Sequence, residues 1–177
     1  MIKLDNSQYI KDLNKESKLA LDIPSELPKI KNISQEFVNW EAYFGNSNPI
    51  ELEIGTGRTH YLFERAQVQP NHNLVGIEWK ERWVKQARAK IKREEIKNIY
   101  TVHANAWVLT PKLFEDKSLS NVTFHFPDPW WKKRHHKRRL LTVGFASQIS
   151  RTLISGGFLH FWTDVAETYE AGLTVLN

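Results

Sequence analysis

From Pro49 onward the chain alternates short apolar runs with longer segments of helical periodicity, and this alternation limits the fold more than any other feature. Ile50 to Ile54, Leu74 to Ile77, Ile99 to Val102, Val122 to Phe126 and Phe158 to Trp162 read as five strands, rich in β-branched and aromatic residues. Thr59 to Gln67 suits a helix. Lys80 to Lys97 is the clearest one, with Trp83, Val84, Ala87 and Ile91 on one stripe and charges elsewhere. Val143 to Ile154 carries Phe145, Ile149 and Leu153 four apart, and Gly156-Gly157 predicts its stop. Val165 to Gly172 begins another helix. Strands that alternate with helices bury both faces of a parallel sheet, so the expected class is α/β, largely parallel and doubly wound.

Residues 1–45 have a different character. They are polar and rich in Lys, Asn and Ser, and Pro24 and Pro28 break any long helix. The expected organisation is an N-terminal extension over 1–45, partly flexible, and one main domain over 46–177. Within the extension, Phe37, Val38, Trp40, Tyr43 and Phe44 form a patch able to dock a short helix on the body. The 177 residues suit a single core, and the 41% hydrophobic and 25% charged shares are those of an ordinary globular protein. With no cysteine, disulfides and thiolate metal sites are excluded. No run approaches the ~18 apolar residues of a membrane span, and Met1 to Asp5 is already mixed, so the expected location is the cytoplasm, without a membrane partner.

"ELEIGTGRTH" places Gly55 and Gly57 in a turn between a strand and a helix, where backbone can approach a ligand and the helix start offers free N–H groups. Glu78 ends the second strand, close to the ~20-residue spacing at which a strand-end acid takes ribose hydroxyls. Glu53 is a carboxylate at the end of a buried strand, costly unless it meets a partner. Asn105-Ala106 follows the third strand; its amide suits an adenine edge as well as an ordinary loop. Dinucleotide and S-adenosylmethionine both fit this pattern, although His60 stands where a dinucleotide fingerprint wants a third glycine.

The second cluster is "HFPDPWWKKRHHKRR", from His125 to Arg139. Asp128 is held between two prolines. Trp130 and Trp131 offer stacking faces. Lys132, Lys133, Arg134, Lys137, Arg138 and Arg139 carry six positive charges, more than the formal net charge of +5 of the whole chain. An anchored acid, aromatic faces and phosphate-seeking cations point to chemistry on a nucleobase of a polyanion. One tryptophan is expected to stack on bases and the other to anchor the loop. His125, His135, His136 and His160 lack metal-ligand spacing with nearby acids, and no metal is expected.

These residues resemble the tRNA (guanine-N7-)-methyltransferases over roughly Glu51 to Asp164. "FPDPWWKKRHHKRR" is the most specific part, and "LEIGTG", "GIE", Asn105-Ala106, Gly156-Gly157 and Thr163-Asp164 follow in the family's order. The resemblance implies a Rossmann-like class I methyltransferase fold and S-adenosylmethionine as cofactor. It implies that Glu53, Gly55, Gly57, Glu78, Asn105, Ala106 and Asp128 line the cofactor site, and that Asp128 is catalytic where donor and guanine meet. Lys132 and Asp164 match positions used for the RNA, with Arg134, Lys137 and Arg139 beside them, and tRNA is the implied partner. Monomer and homodimer both occur in the family.

Three departures accompany the match. Thr59 replaces a family glycine, Asn105 stands where aspartate is common, and the family's C-terminal antiparallel hairpin is expected to be missing from a chain ending at Asn177, leaving a final strand open to a partner chain. Two other functions compete with methylation of guanine N7: a non-catalytic RNA-binding relative, and a methyltransferase acting on an exocyclic amine.

Overall fold

The structure is a computed structural model in which the described residues are Glu26 and 37–176, without the side chains of Lys133, Lys137 and Arg138. Most of the expected N-terminal extension lies outside the described residues. The part described forms helix α1 (Trp40–Phe44), capped by the Asn39 side chain, which accepts from the Ala42 N–H. Trp40 is 4% exposed, stacks on Phe114 at 5.4 Å and donates its indole N–H to the Leu113 carbonyl at 3.1 Å.

Five strands form one sheet: β1 (Ile50–Ile54), β2 (Asn73–Glu78), β3 (Ile99–His103), β4 (Leu119–His125) and β5 (Leu153–Trp162). All pair in parallel, in the order β3-β2-β1-β4-β5. The chain winds outward from β1 to β3, then crosses back to place β4 on the other side of β1. That reversal opens a crevice at the carboxyl ends of β1 and β4, where ligands bind in sheets of this kind. Helices α2 (His60–Val68) and α3 (Glu81–Arg93) follow β1 and β2; α4 (Ala106–Leu113), α5 (Val143–Thr152) and α6 (Ala166–Leu176) follow β3, β4 and β5.

The two faces of the sheet differ. One packs Leu52, Ile54, Val75, Ile77, Val122 and Phe124 against α1, α4 and α5 in a continuous apolar core. The other carries a smaller core, with Leu62, Phe63 and Ala66 of α2 and Ala87 of α3 against Leu74 and Ile99. On this second face β1 presents Glu51 and Glu53, both buried. Gly76 lies beside them in β2 because nothing larger fits: a Cβ there would come within 2.6 Å of both Leu62 and Thr56.

The end of α5 and the place of Gly156-Gly157 differ from expectation. Helix α5 stops at Thr152 rather than Ile154, and Gly156-Gly157 lies inside β5 instead of ending the helix. Thr152 is fully buried, and the strand begins at once because Leu153 pairs with Leu119. The glycines then sit in an irregularity: Asn121 pairs with Phe158, so β5 accommodates extra residues, with Gly156 at φ 80. Helix α4 was not expected. Pro111 lies inside it, and its start is held by Asn105, whose side-chain oxygen accepts from the Trp107 N–H at 3.0 Å.

Candidate active site

The turn after β1 is built from backbone geometry. Gly55 and Gly57 take φ of 79° and 51°, and a Cβ on either would meet nothing within 4 Å. Glycine is therefore required by conformation, and the space over the turn is open to a ligand. Thr59 takes φ 63° while fully buried, a left-handed conformation that costs a β-branched residue about 1–2 kcal/mol. Its N–H bonds the Thr56 carbonyl at 2.7 Å. Thr59 thus holds the conformation a glycine would take, and its departure from the family pattern leaves the turn intact.

Glu78 ties this turn to the end of β2. Its carboxylate accepts from the Gly57 N–H and from the Lys80 N–H, each at 2.7 Å. A carboxylate has about four acceptor sites, so both oxygens keep lone pairs for hydroxyl donors. The Ala104 N–H in turn bonds the Glu78 carbonyl at 3.1 Å, which brings Asn105 and the buried Ala106 to the same edge of the sheet. Asn105 caps α4 through its oxygen, and its side-chain nitrogen is buried with no partner.

Glu53 is 3% exposed. One oxygen meets His125 Nδ1 at 3.0 Å; the other is buried and unpaired. Burial pushes its carboxyl above the usual carboxylate range, His125 pulls it back in part, and the nearby Glu78 charge pushes it up again. The His125 ring packs against Tyr61 at 4.4 Å. In the sequence, His125 stands out only by its lack of metal-ligand spacing. Its pairing depends on register: Thr123 lies beside Glu53, so His125, two residues on, shares the same face.

The loop after β4 is strained and clamped. Phe126 and Trp130 take φ of 48° and 50°, one on each side of Pro127-Asp128-Pro129. Residues held in such regions persist only where surrounding structure fixes them. Here the Phe126 N–H bonds the Trp162 carbonyl at 2.8 Å, and Arg139 Nε donates to the Pro129 carbonyl at 3.1 Å. Arg139 also pairs with Glu167 of α6 at 2.5 Å. Asp128 is exposed, three residues past the end of β4, the strand that pairs with β1. Trp131 is 64% exposed, whereas Trp130 is half-buried, edge-on to His135 at 5.8 Å.

Lys132 and Arg134 are exposed around a 3-10 helix spanning Lys133–Arg138, and Asp164 is exposed at the end of β5. The Lys137 side chain lies outside the described residues. Arg139 is engaged within the protein, as described above. Among the described residues no three His, Cys, Asp or Glu side chains gather to hold a metal ion. No described helix is long and apolar enough to cross a membrane.

Residues 47–177 match the family described as "Putative methyltransferase", and the chain belongs to it. It is 38% identical to a tRNA (guanine-N(7)-)-methyltransferase of Rhodopirellula baltica over 85% of this chain and 57% of that protein. With a tRNA (guanine-N(7)-)-methyltransferase of Myxococcus xanthus the identity is 32%, over 87% of this chain and 77% of that protein. The chain thus spans little more than half of the first relative and about three quarters of the second. Among solved structures, a precorrin-6y C5,15-methyltransferase from Geobacter metallireducens superposes with a TM-score of 0.58 at 16% identity, covering 91% of this chain and 76% of that one. The fold is the Rossmann-like class I methyltransferase fold.

Proposed function

We propose that the chain transfers a methyl group from S-adenosylmethionine to N7 of a guanine in tRNA, acting in the cytoplasm. The observation that carries the cofactor assignment is the pair of buried unpaired polar atoms at this one sheet edge, the Glu53 oxygen and the Asn105 nitrogen, beside a glycine turn with open space above it. A buried polar atom without a partner costs about 1–3 kcal/mol, which a ligand with complementary groups recovers. The cofactor offers such groups: hydroxyls for Glu78, an adenine edge for the Asn105 amide, and positive charge for Glu53 and Glu78. When bound, it supplies an electrophilic methyl group on a sulfonium.

Guanine N7 carries an available lone pair and needs no prior deprotonation. The protein therefore has to align the base and compensate charge rather than supply a strong base. Asp128 can do both. Its carboxylate accepts from the N–H donors of guanine and offsets the positive charge that the purine gains on methylation. The clamp from Arg139 to the Pro129 carbonyl holds the loop that carries this acid. Trp131 supplies an exposed face for a base, and Lys132, Arg134, Lys137 and Asp164 border the RNA. The relatives' shared name and the Pro-Asp-Pro-Trp-Trp basic segment support tRNA as substrate.

The test is incubation of the purified protein with S-adenosylmethionine and unmodified tRNA, followed by nucleoside analysis. N7-methylguanosine is expected. An N-methylated exocyclic amine would reassign the reaction, and absent cofactor binding by calorimetry would leave an RNA-binding relative without catalysis.

A further inference from the structure

Between α2 and α3 lies an open groove of about 710 Å3, with Arg58, Trp83, Gln86, Lys90 and Arg93 in its lining. Its floor includes Ala87, whose small side chain leaves room between the helices. The charge here is concentrated. Helix α3 carries six Lys and Arg against one Glu, with Glu94 and Glu95 directly after its last residue.

Local carboxylates pair with four of the six: Glu81 takes Lys85 at 2.9 Å, Glu94 serves both Arg93 at 2.9 Å and Lys90 at 4.0 Å, and Glu26 meets Arg88 at 3.7 Å. Rings orient cations at the groove as well. Arg58 and Arg82 lie over Trp83 at 5.3 and 4.3 Å, and Lys90 lies over Phe63 at 3.9 Å. Cation–π contacts orient a charge without cancelling it, so the groove presents ordered cations to an anion.

Position adds a second argument. Helix α2 starts just past the glycine turn and α3 just past Glu78, so the upper end of the groove opens at the sheet edge that carries Asp128. Strands lie ~4.8 Å apart, so β2 and β4 are separated by roughly 10 Å at that edge. From Trp83 to Arg93, α3 extends the cationic lining by about 15 Å at 1.5 Å per residue. A strand that presents a base to Asp128 reaches the groove within a few nucleotides. In the loop after β4, Arg139 is engaged by Pro129 and Glu167, and Lys132 and Arg134 are the exposed cations among the described side chains.

We propose that the α2–α3 groove is a second seat for the ribose-phosphate backbone of the RNA substrate, apart from the loop after β4. The inference rests on the proposed reading of the enzyme as an RNA methyltransferase. Phosphates meet Lys90, Arg93 and Arg58, and an unpaired base has the Trp83 ring beside it.

The experiment compares wild type with the double variant Lys90→Glu/Arg93→Glu and with the pair Gln86→Lys and Gln86→Glu. An unmodified tRNA transcript is titrated by fluorescence anisotropy over a series of salt concentrations. The double variant is expected to weaken tRNA binding at least tenfold and to flatten the salt dependence by about one to two phosphates' worth. KM for tRNA rises, while kcat at saturating tRNA, cofactor affinity and melting temperature stay near wild type. Gln86, exposed and with no charge to lose, gives the independent check: Gln86→Lys tightens binding and Gln86→Glu weakens it. Wild-type affinity and salt slope in the double variant, or no opposite effects at Gln86, overturn the proposal. Competition by polyglutamate as strong as that by tRNA also overturns it, assigning the groove to an acidic peptide. If the wild type methylates RNA and the variants match it, only the groove assignment fails; if the wild type neither binds nor methylates RNA, the reading of the enzyme fails with it.

Discussion

Glu51 and Glu53 stand two residues apart on one strand and one face, each 3% exposed, yet their surroundings are opposite. Glu51, toward the start of β1, is fully engaged. Arg65 grips it with two hydrogen bonds of 2.8 and 2.7 Å, His72 meets it at 2.6 Å and Asn121 at 3.3 Å. Burial pushes its carboxyl up, but the Arg65 and His72 contacts overcome that and hold it below the usual range. Glu53, at the carboxyl end, has one partner, one unpaired oxygen and a raised carboxyl pKa. The difference separates the two ends of the sheet. At the amino end a buried charge is satisfied inside the protein and serves the fold; at the carboxyl end it is left incomplete, which fits a site that awaits a ligand.

The comparison can be broken by substitution. The largest expected effect is on turnover at the carboxyl end: Asp128→Ala should lower kcat by at least about 10²-fold, in the range of losing one transition-state contact. Its melting temperature should match wild type, since Asp128 is exposed. At the amino end the outcome reverses. Glu51→Ala strands Arg65 and His72 and should cost about 3 kcal/mol in denaturant unfolding, with cofactor affinity per folded molecule unchanged.

Asn105→Ser sharpens the contrast within one residue. Serine keeps the cap acceptor, so stability should shift by no more than about 0.5 kcal/mol. It removes the unpaired nitrogen, so cofactor affinity by calorimetry should fall about tenfold. The smallest effect is expected from His125→Asn. The amide keeps a donor near Glu53 but cannot carry charge, which removes an attraction that lowers the Glu53 carboxyl pKa. Cofactor affinity should then fall off at higher pH than in wild type, by a few-fold in mildly acidic buffer.

Acid unfolding separates the carboxylates by sign. The lowered pKa of Glu51 contributes stability that is present above its unfolded pKa and is lost as pH falls through its folded value. The raised pKa of Glu53 contributes stability only toward low pH, lost as pH rises through its folded value.

Much of this was legible in the sequence because local patterns and tertiary demands agree there. β1 has the expected bounds, and the α/β alternation yields the parallel sheet. The glycine turn and the ends of β2 and β3 occupy one edge because that topology places all carboxyl ends together. Helix α4 escaped because Pro111 argues against a helix, while burial of Leu109, Thr110 and Leu113 holds one anyway. The boundary of α5 was misplaced because Leu153 continues its apolar stripe, although Leu153 pairs in β5. The Glu53–His125 contact depends on the register between β1 and β4, which no local signal fixes. Arg139 looked like its neighbours in a basic run, and only the closed loop shows it bound to Pro129 and Glu167.

The central claim is that the incompleteness of Glu53 serves a cationic ligand, and Glu53→Gln tests it most directly when stability and S-adenosylmethionine affinity are measured on one sample at neutral pH. The account predicts that the variant unfolds at the same or a higher temperature than wild type, because a costly buried charge is gone, while cofactor affinity falls at least tenfold. A variant that binds the cofactor like wild type, or that loses stability as Glu51→Ala does, would contradict it.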